Sequence, residues 1–136
     1  MVNNVMVQSS SASSLKDFLE ENDFLVEEVE DVLKVSRDSD LDVFLKADDD
    51  TIYFEVELGN ISGFANDEVY LKLLNLNTEI TPVSIGIDTT DSENPVAVLV
   101  ERRETENLDS NELLSVFDAI EIAQFKVEGL LSQYIQ

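Results

Sequence analysis

Two alternating segments separated by three aspartates constrain this chain more than any other feature. In Leu41-Asp42-Val43-Phe44-Leu45-Lys46-Ala47, the residues Leu41, Val43, Leu45 and Ala47 share one face. In Ile52-Tyr53-Phe54-Glu55-Val56-Glu57-Leu58, the residues Ile52, Phe54, Val56 and Leu58 share one face, and Tyr53, Glu55 and Glu57 take the other. Successive side chains of an extended backbone point to opposite sides, so this pattern turns one face to a core and one to water. Asp48-Asp49-Asp50 between them reads as a hairpin turn.

The flanking segments extend the pattern. Ser13 or Ser14 can open a helix, with Ser14 and Asp17 spaced as in a capping arrangement and Leu15, Phe18 and Leu19 on one face. Asn22-Asp23 ends it. Residues 24–36 suit a helix face through Leu25, Val29, Val32 and Leu33. They also suit a strand, with Asp31 the exception, and Val and Phe favour strand. Gly59 to Ala65 reads as a loop. Asn66 then caps a second helix whose first turn holds Asp67 and Glu68, where the helix dipole favours anions. Its stripe is Val69, Tyr70, Leu73, Leu74 and Leu76. Val83 to Ile87 is a fourth strand. Pro95 to Val100 is a fifth, apolar on both faces and so central. Asp109 and Glu112 open a closing helix in which Leu113, Phe117, Ile120, Val127, Leu131 and Tyr134 recur at helical spacing, widened by Val116, Ala123 and Leu130. The order α-β-β-β-α-β-β-α predicts an α+β fold, an antiparallel sheet with helices packed on one face. Residues 1–12, polar and Ser-rich, are expected to be a flexible lead-in, and 13–136 a single domain.

Composition decides what chemistry such a fold could carry. With no Cys, zinc fingers, iron–sulfur sites and thiol catalysis are excluded; with no His, so are a Ser-His-Asp triad and a His-ligated metal. The net charge of −22 opposes binding to nucleic-acid phosphates. Yet 43% of residues are hydrophobic and fall in periodic runs, so the chain folds with its acid outside. That acid reflects either solubility and habitat or a surface built to meet a basic or amphipathic partner. No stretch is apolar enough for a signal peptide or a membrane helix, so the cytoplasm is the expected location and no membrane insertion is expected.

Specific sites are hard to build from these residues. Asp48 and Asp50 fit the start of a calcium loop, but Ile52 breaks the alternation of acids and Tyr53 sits where Gly is required. Glycoside hydrolysis by paired acids needs a cleft with stacking aromatics, and there is no Trp. In Gly59-Asn60-Ile61-Ser62-Gly63 the Ser is one place late for a nucleophile elbow. Four Gly, none in phosphate-loop spacing, leave no nucleotide cradle. No catalytic, metal or cofactor residues are therefore assigned. Arg102-Arg103, flanked by Glu101 and Glu104, reads as charge compensation at a strand end or as a small anion grip. Tyr53 is either a partner anchor on an exposed sheet face or a residue covered within the fold. Leu130 widens the closing helix beyond what one sheet face must cover. Tyr53 and Leu130 are the candidate partner-binding residues.

The runs Tyr53-Phe54-Glu55-Val56-Glu57-Leu58 followed by Ser62, Leu73-Leu74-Asn75-Leu76, and Pro82-Val83-Ser84-Ile85-Gly86-Ile87 resemble the YjfI-type family of uncharacterised bacterial proteins, as does the closing helix. The likeness spans roughly Leu15 to Ile135, with departures at Asn94-Pro95 and Glu101 to Glu106. The element order also resembles the type III secretion chaperone-like fold, including YbjN-type proteins. Members of that group are small, acidic, often dimeric and bind partner polypeptides. The YjfI-type resemblance implies a link to envelope stress through a PspA-like partner. The expected function is a non-catalytic acidic protein-binding module, adaptor or chaperone-like, acting as a homodimer on a protein partner. The alternatives are a carboxylate and divalent-metal enzyme, or an acidic decoy of a nucleic-acid-binding protein.

Self-repulsion among the carboxylates gives a first expectation. A Debye length of about 10 Å at 0.1 M salt is shorter than the molecule, so added salt should stabilise the fold. Melting temperature should rise between low and roughly 0.5 M NaCl. A melting temperature that falls over that range would refute it. Crowded carboxylates also predict stability that rises from neutral towards mildly acidic pH.

Overall fold

The alternating segments pair as their pattern demands: Leu45 lies opposite Phe54 and Ala47 opposite Ile52. The turn between them closes with the Asp48 amide donating to the Thr51 carbonyl at 2.8 Å. The structure, a computed structural model, describes residues 12–37, 41–106 and 108–135. Along them run α1 (Ala12–Glu21), β1 (Leu25–Val29), β2 (Val32–Ser36), β3 (Val43–Ala47), β4 (Thr51–Asn60), α2 (Asp67–Leu76), β5 (Ser84–Asp88), β6 (Val96–Glu104) and α3 (Ser110–Leu131). The fold is α+β, with one antiparallel six-stranded sheet in the order β1-β2-β3-β4-β6-β5. The segment expected to be a flexible lead-in lies, up to residue 11, outside the described residues, as do the side chains of the Ser13 and Ser14 cap.

Residues 24–36 form a hairpin rather than one strand. Val29 pairs with Val32, leaving Glu30 and Asp31 as a two-residue turn in which Glu30 takes a left-handed φ of 57°. No glycine marks that turn, and this is why the pattern reads as continuous. Asp31, the exception to the alternation, is the turn itself. β6, expected to be central, is an interior strand next to the edge, inserted between β4 and β5, and it continues through Arg102 and Arg103 to Glu104. β4 likewise runs on through Gly59, where a bulge between Glu57 and Gly59 shifts the register and Gly59 takes a φ of 136°.

The helices bury residues into one apolar cluster. α1 contributes Leu15 and Leu19, α2 Val69 and Leu73, and the sheet Val35, Leu45, Phe54, Val56 and Leu99. α3 brings Leu113, Phe117, Ile120 and Val127. Val116 and Ala123, expected to exceed what one sheet face needs, are also buried. Helix α3 packs against more than the sheet. Its C-terminal end meets α2, where Tyr134 stacks on Phe64 with centroids 6.0 Å apart and its hydroxyl lies 3.4 Å from Glu68. Leu74, placed on the stripe of α2 by spacing, is instead 64% exposed.

The caps predicted at Asn66 and Asp109 form. The Asn66 side chain accepts from the Val69 amide at 2.9 Å, and Asp109 accepts from the Glu112 amide at 2.8 Å. α1 ends in a Schellman closure. The Phe24 amide donates to the Leu19 carbonyl at 3.1 Å, the Asp23 amide to the Glu20 carbonyl at 3.2 Å, and Asp23 takes a φ of 70°. Glycine holds that conformation without a Cβ penalty. Asp23→Gly should therefore stabilise the protein by up to about 1 kcal/mol, and Asp23→Asn by less. Urea unfolding measures both. A loss of stability in Asp23→Gly would contradict the assignment.

Candidate partner-binding surfaces

Strand register decides which side chains reach the surface opposite the helices. Since Phe54 faces the core, Tyr53, Glu55 and Glu57 face away, and so do their partners: Arg102 opposite Tyr53, Val100 opposite Glu55, Val98 opposite Glu57. β3 adds Lys46 opposite Tyr53 and Phe44 opposite Glu55, and β2 adds Lys34 opposite Phe44. One row across the sheet therefore reads Lys34, Phe44, Glu55, Val100 and Ser84, and the next Lys46, Tyr53, Arg102. The buried apolar residues of the described helices all join the cluster on the opposite side. Tyr53 is half-buried by its sheet neighbours rather than covered by a helix. Its hydroxyl donates to Glu55 Oε1 at 2.9 Å, and the Arg102 guanidinium lies 6.0 Å from its ring centroid. Burial, then the bond to Glu55, raises the pKa of the phenol.

Two cations of this face are paired locally. Lys34 lies 3.7 Å from Glu27 and 3.6 Å from Asp42, and Lys46 lies 3.5 Å from Asp31. Exposed pairs at these distances contribute little to stability. Glu55 and Glu57 also face this way, so with Glu27 and Asp42 the carboxylates outnumber the three cations of the face.

Leu130 lies elsewhere. It lines an open groove between α2 and α3 together with Leu71, Lys72, Asn75, Leu76 and Glu79. Leu71 and Leu74 beside it are 68% and 64% exposed. The fold thus keeps the two sequence candidates apart, Tyr53 on the helix-free side of the sheet and Leu130 on the helical side. The outward residues Leu71, Leu74, Ile122 and Phe125 were missed by the sequence reading. The available signal was the position of Ile122 and Phe125 off the main stripe of α3.

Arg102 and Arg103 go to opposite faces. Arg103 lies opposite Ile52 and Glu101 opposite Phe54, so both point to the helix side. The Arg103 Nε lies 3.7 Å from Glu101 Oε1, and its Nη1 3.9 Å from Glu112 Oε2 on the first turn of α3. These are ion pairs too long for hydrogen bonds, and the buried Glu101 Oε2 has no hydrogen-bond partner among the described residues. The arrangement is charge compensation between β6 and α3. Asp48, Asp49 and Asp50 stand exposed in their turn, and no group of three acids among the described residues converges as a metal site would require. No described helix is long and apolar enough to cross a membrane.

A family model, CesT_Tir_1, matches residues 8–136. The chain belongs to the CesT_Tir_1 family. No curated protein matches it. Among solved structures it is similar to Escherichia coli YbjN, with 15% identity, TM-score 0.65, and coverage of 88% of this chain and 92% of that one. It is similar to a chain of the heterodimeric ExoU–SpcU complex of the Pseudomonas aeruginosa type III secretion system, with 19% identity, TM-score 0.66, and coverage of 84% and 94%. It is also similar to the Yersinia pestis type III secretion chaperone SycH, solved in complex with a stable fragment of YscM2, with 18% identity, TM-score 0.60, and coverage of 85% and 98%. At these identities the likeness is one of fold, which is type III secretion chaperone-like. The YjfI-type resemblance has no support from these matches.

Buried charge in this CesT_Tir_1 chain makes a pH prediction. Desolvation raises the pKa of Glu101, against the opposing pull of Arg103 and of a backbone hydrogen bond at Arg102. The folded protein then takes up this proton at higher pH than the unfolded chain does. Ionised Glu101 costs stability, and the loss is recovered as pH falls through its raised pKa. Hydrogen bonds from Thr90 lower the pKa of Asp88, and those from Asn94 and Glu93 lower that of Asp91, so these two stabilise above the ordinary Asp range and cease to as they protonate. Melting temperature should rise from neutral into mildly acidic pH, then fall below about pH 4. Glu101→Gln should flatten the rise and leave the fall. An unchanged profile in Glu101→Gln would refute the assignment.

Proposed function

We propose that the protein is a non-catalytic, chaperone-like adaptor in the cytoplasm that holds a protein partner on the helix-free face of its sheet. One observation carries this reading: Tyr53 and Phe44 lie half-buried on that face, framed by Lys34, Lys46, Arg102 and Glu55. Aromatic anchors inside a charged rim are the usual composition of a binding hot spot. Two of the similar structures, ExoU–SpcU and SycH with its YscM2 fragment, are complexes of this fold with another protein. The same geometry speaks for binding rather than turnover, since it gathers aromatic and paired charged groups on a flat face. The identity of the partner rests on the YjfI-type resemblance alone, which points to a PspA-like protein of envelope stress.

The α2–α3 groove is the proposed homodimer contact. Its rim carries Lys72 and Glu79 beside the apolar Leu71 and Leu130. A two-fold axis through such a rim brings each Lys towards the other copy's Glu, as a self-complementary contact requires.

The two surfaces separate experimentally. Tyr53→Ala should weaken partner capture by about tenfold or more, the loss of roughly 1.4 kcal/mol or above expected of an aromatic anchor. Leu130→Lys should shift sedimentation from dimer to monomer with the circular dichroism spectrum unchanged. A wild-type protein that sediments as a monomer at high micromolar concentration refutes the dimer. Partner capture unaffected by Tyr53→Ala refutes the sheet face.

A further inference from the structure

Helix α3 presents a second apolar strip that the core does not use. Phe117, Ile120, Ala123 and Val127 are buried, whereas Ile122 and Phe125 point the other way and are 60% and 81% exposed. Residues three apart on a helix are surface neighbours, so the two form one ridge. Gly129 stands one turn beyond Phe125 on the same side, and a Cβ built there meets nothing within 4 Å. The glycine therefore adds no side chain to the ridge and leaves the surface beyond it open. An exposed ring next to open backbone is a surface against which the side chains of another helix can pack.

The surroundings of the ridge select what can approach. Glu121 and Glu128 flank it on the side of Phe125, Asp118 stands one turn before Ile122 in line with it, and Lys126 lies on the other side. Arg37 bridges Asp118 at 3.1 Å and Glu121 at 3.0 Å, but its side chain is only 27% exposed against 68% and 54% for the acids. The carboxylates thus stand further into solvent than the cation that pairs with them. A second copy of this chain docking ridge to ridge would bring the same acidic flank against this one. Nucleic acid and anionic lipid would be repelled in the same way.

We propose that the ridge Ile122–Phe125–Gly129 docks an amphipathic helix of a protein partner, apolar on one face and basic along one flank. The proposal rests on the adaptor reading and adds to it a second surface with a defined chemistry of partner.

The test uses the full chain and two synthetic peptides of roughly five helical turns, identical in their Leu stripe. One carries Lys along a flank and the other Glu at the same positions. Fluorescence anisotropy should show binding of the Lys peptide, weakened by added salt, and none of the Glu peptide. Phe125→Ala should weaken binding by about tenfold or more. Gly129→Leu should raise the melting temperature, since glycine is a poor helix former, and still weaken binding by placing a bulky side chain on the open surface beyond Phe125. Equal binding of both peptides, no binding of the Lys peptide, or unchanged affinity in both variants overturns the proposal. If Tyr53→Ala abolishes peptide binding while Phe125→Ala does not, the ridge is wrong and the adaptor reading stands.

Discussion

One aromatic side chain fixes which side of the sheet carries the helices. The Phe117 ring of α3 meets Phe24 at 4.6 Å between centroids and Phe54 edge-on at 5.8 Å and 86°. Phe24 is the residue at which the left-handed closure of α1 releases the chain into β1, and Phe54 is on β4, between β3 and β6. A single side chain of α3 therefore joins the end of the first helix to the middle of the sheet. Truncating a core aromatic of this kind costs about 3–5 kcal/mol, a large part of a stability of roughly 5–15 kcal/mol. Arg37 reinforces the same corner, lying 5.3 Å from the Phe24 ring centroid while pairing with Asp118 and Glu121 on α3.

Placing α3 there has two consequences for the surfaces. Its stripe must be wide, because it covers the sheet and also receives α2 at its C-terminal end, so Val116 and Ala123 go to the core and Leu130 is left at the groove. The opposite face of the sheet is left to its own side chains. Cross-strand rows then supply cover that a helix would otherwise give: Val98 is only 5% exposed, packed next to Gly86, where an added Cβ would lie 3.3 Å from Val98 Cγ2.

Periodicity made most of this architecture legible. Strands β3 and β4 follow from the alternation through Leu45 and Phe54, and the interior place of β6 from its apolar character on both faces. The caps at Asn66 and Asp109 follow from side chains that satisfy first-turn amides. Less legible were features that depend on non-local geometry. The turn at Glu30 carries no glycine, so the split of residues 24–36 left no mark in the pattern. Glu101 and Arg103 look like strand-end residues in one dimension, and only the pairing of Glu101 with Phe54 shows that they face the core. The candidate site was half legible. Tyr53 could be placed on a face by counting in twos, but whether a helix covers that face depends on where Phe117 docks. Ile122 and Phe125 were hidden because an apolar residue off the stripe reads as incidental until burial is known.

The charge distribution separates these surfaces by chemistry. Against 30 Asp and Glu the chain has 8 Lys and Arg, so a surface patch of average composition is strongly negative. Lys34, Lys46 and Arg102 lie on the helix-free sheet face, interleaved with Glu27, Asp42, Glu55 and Glu57, so that face carries charge of both signs around its aromatic side chains. On the proposed reading, the fit of the aromatic side chains governs binding there, and that binding should depend less on ionic strength than binding at the proposed ridge. The α3 ridge differs, with exposed carboxylates near Phe125 that would attract a basic helix over a range set by the Debye length. If both proposals hold, the response to salt distinguishes which surface a given partner uses, because mixed charge and carboxylate-rich surroundings respond differently to screening.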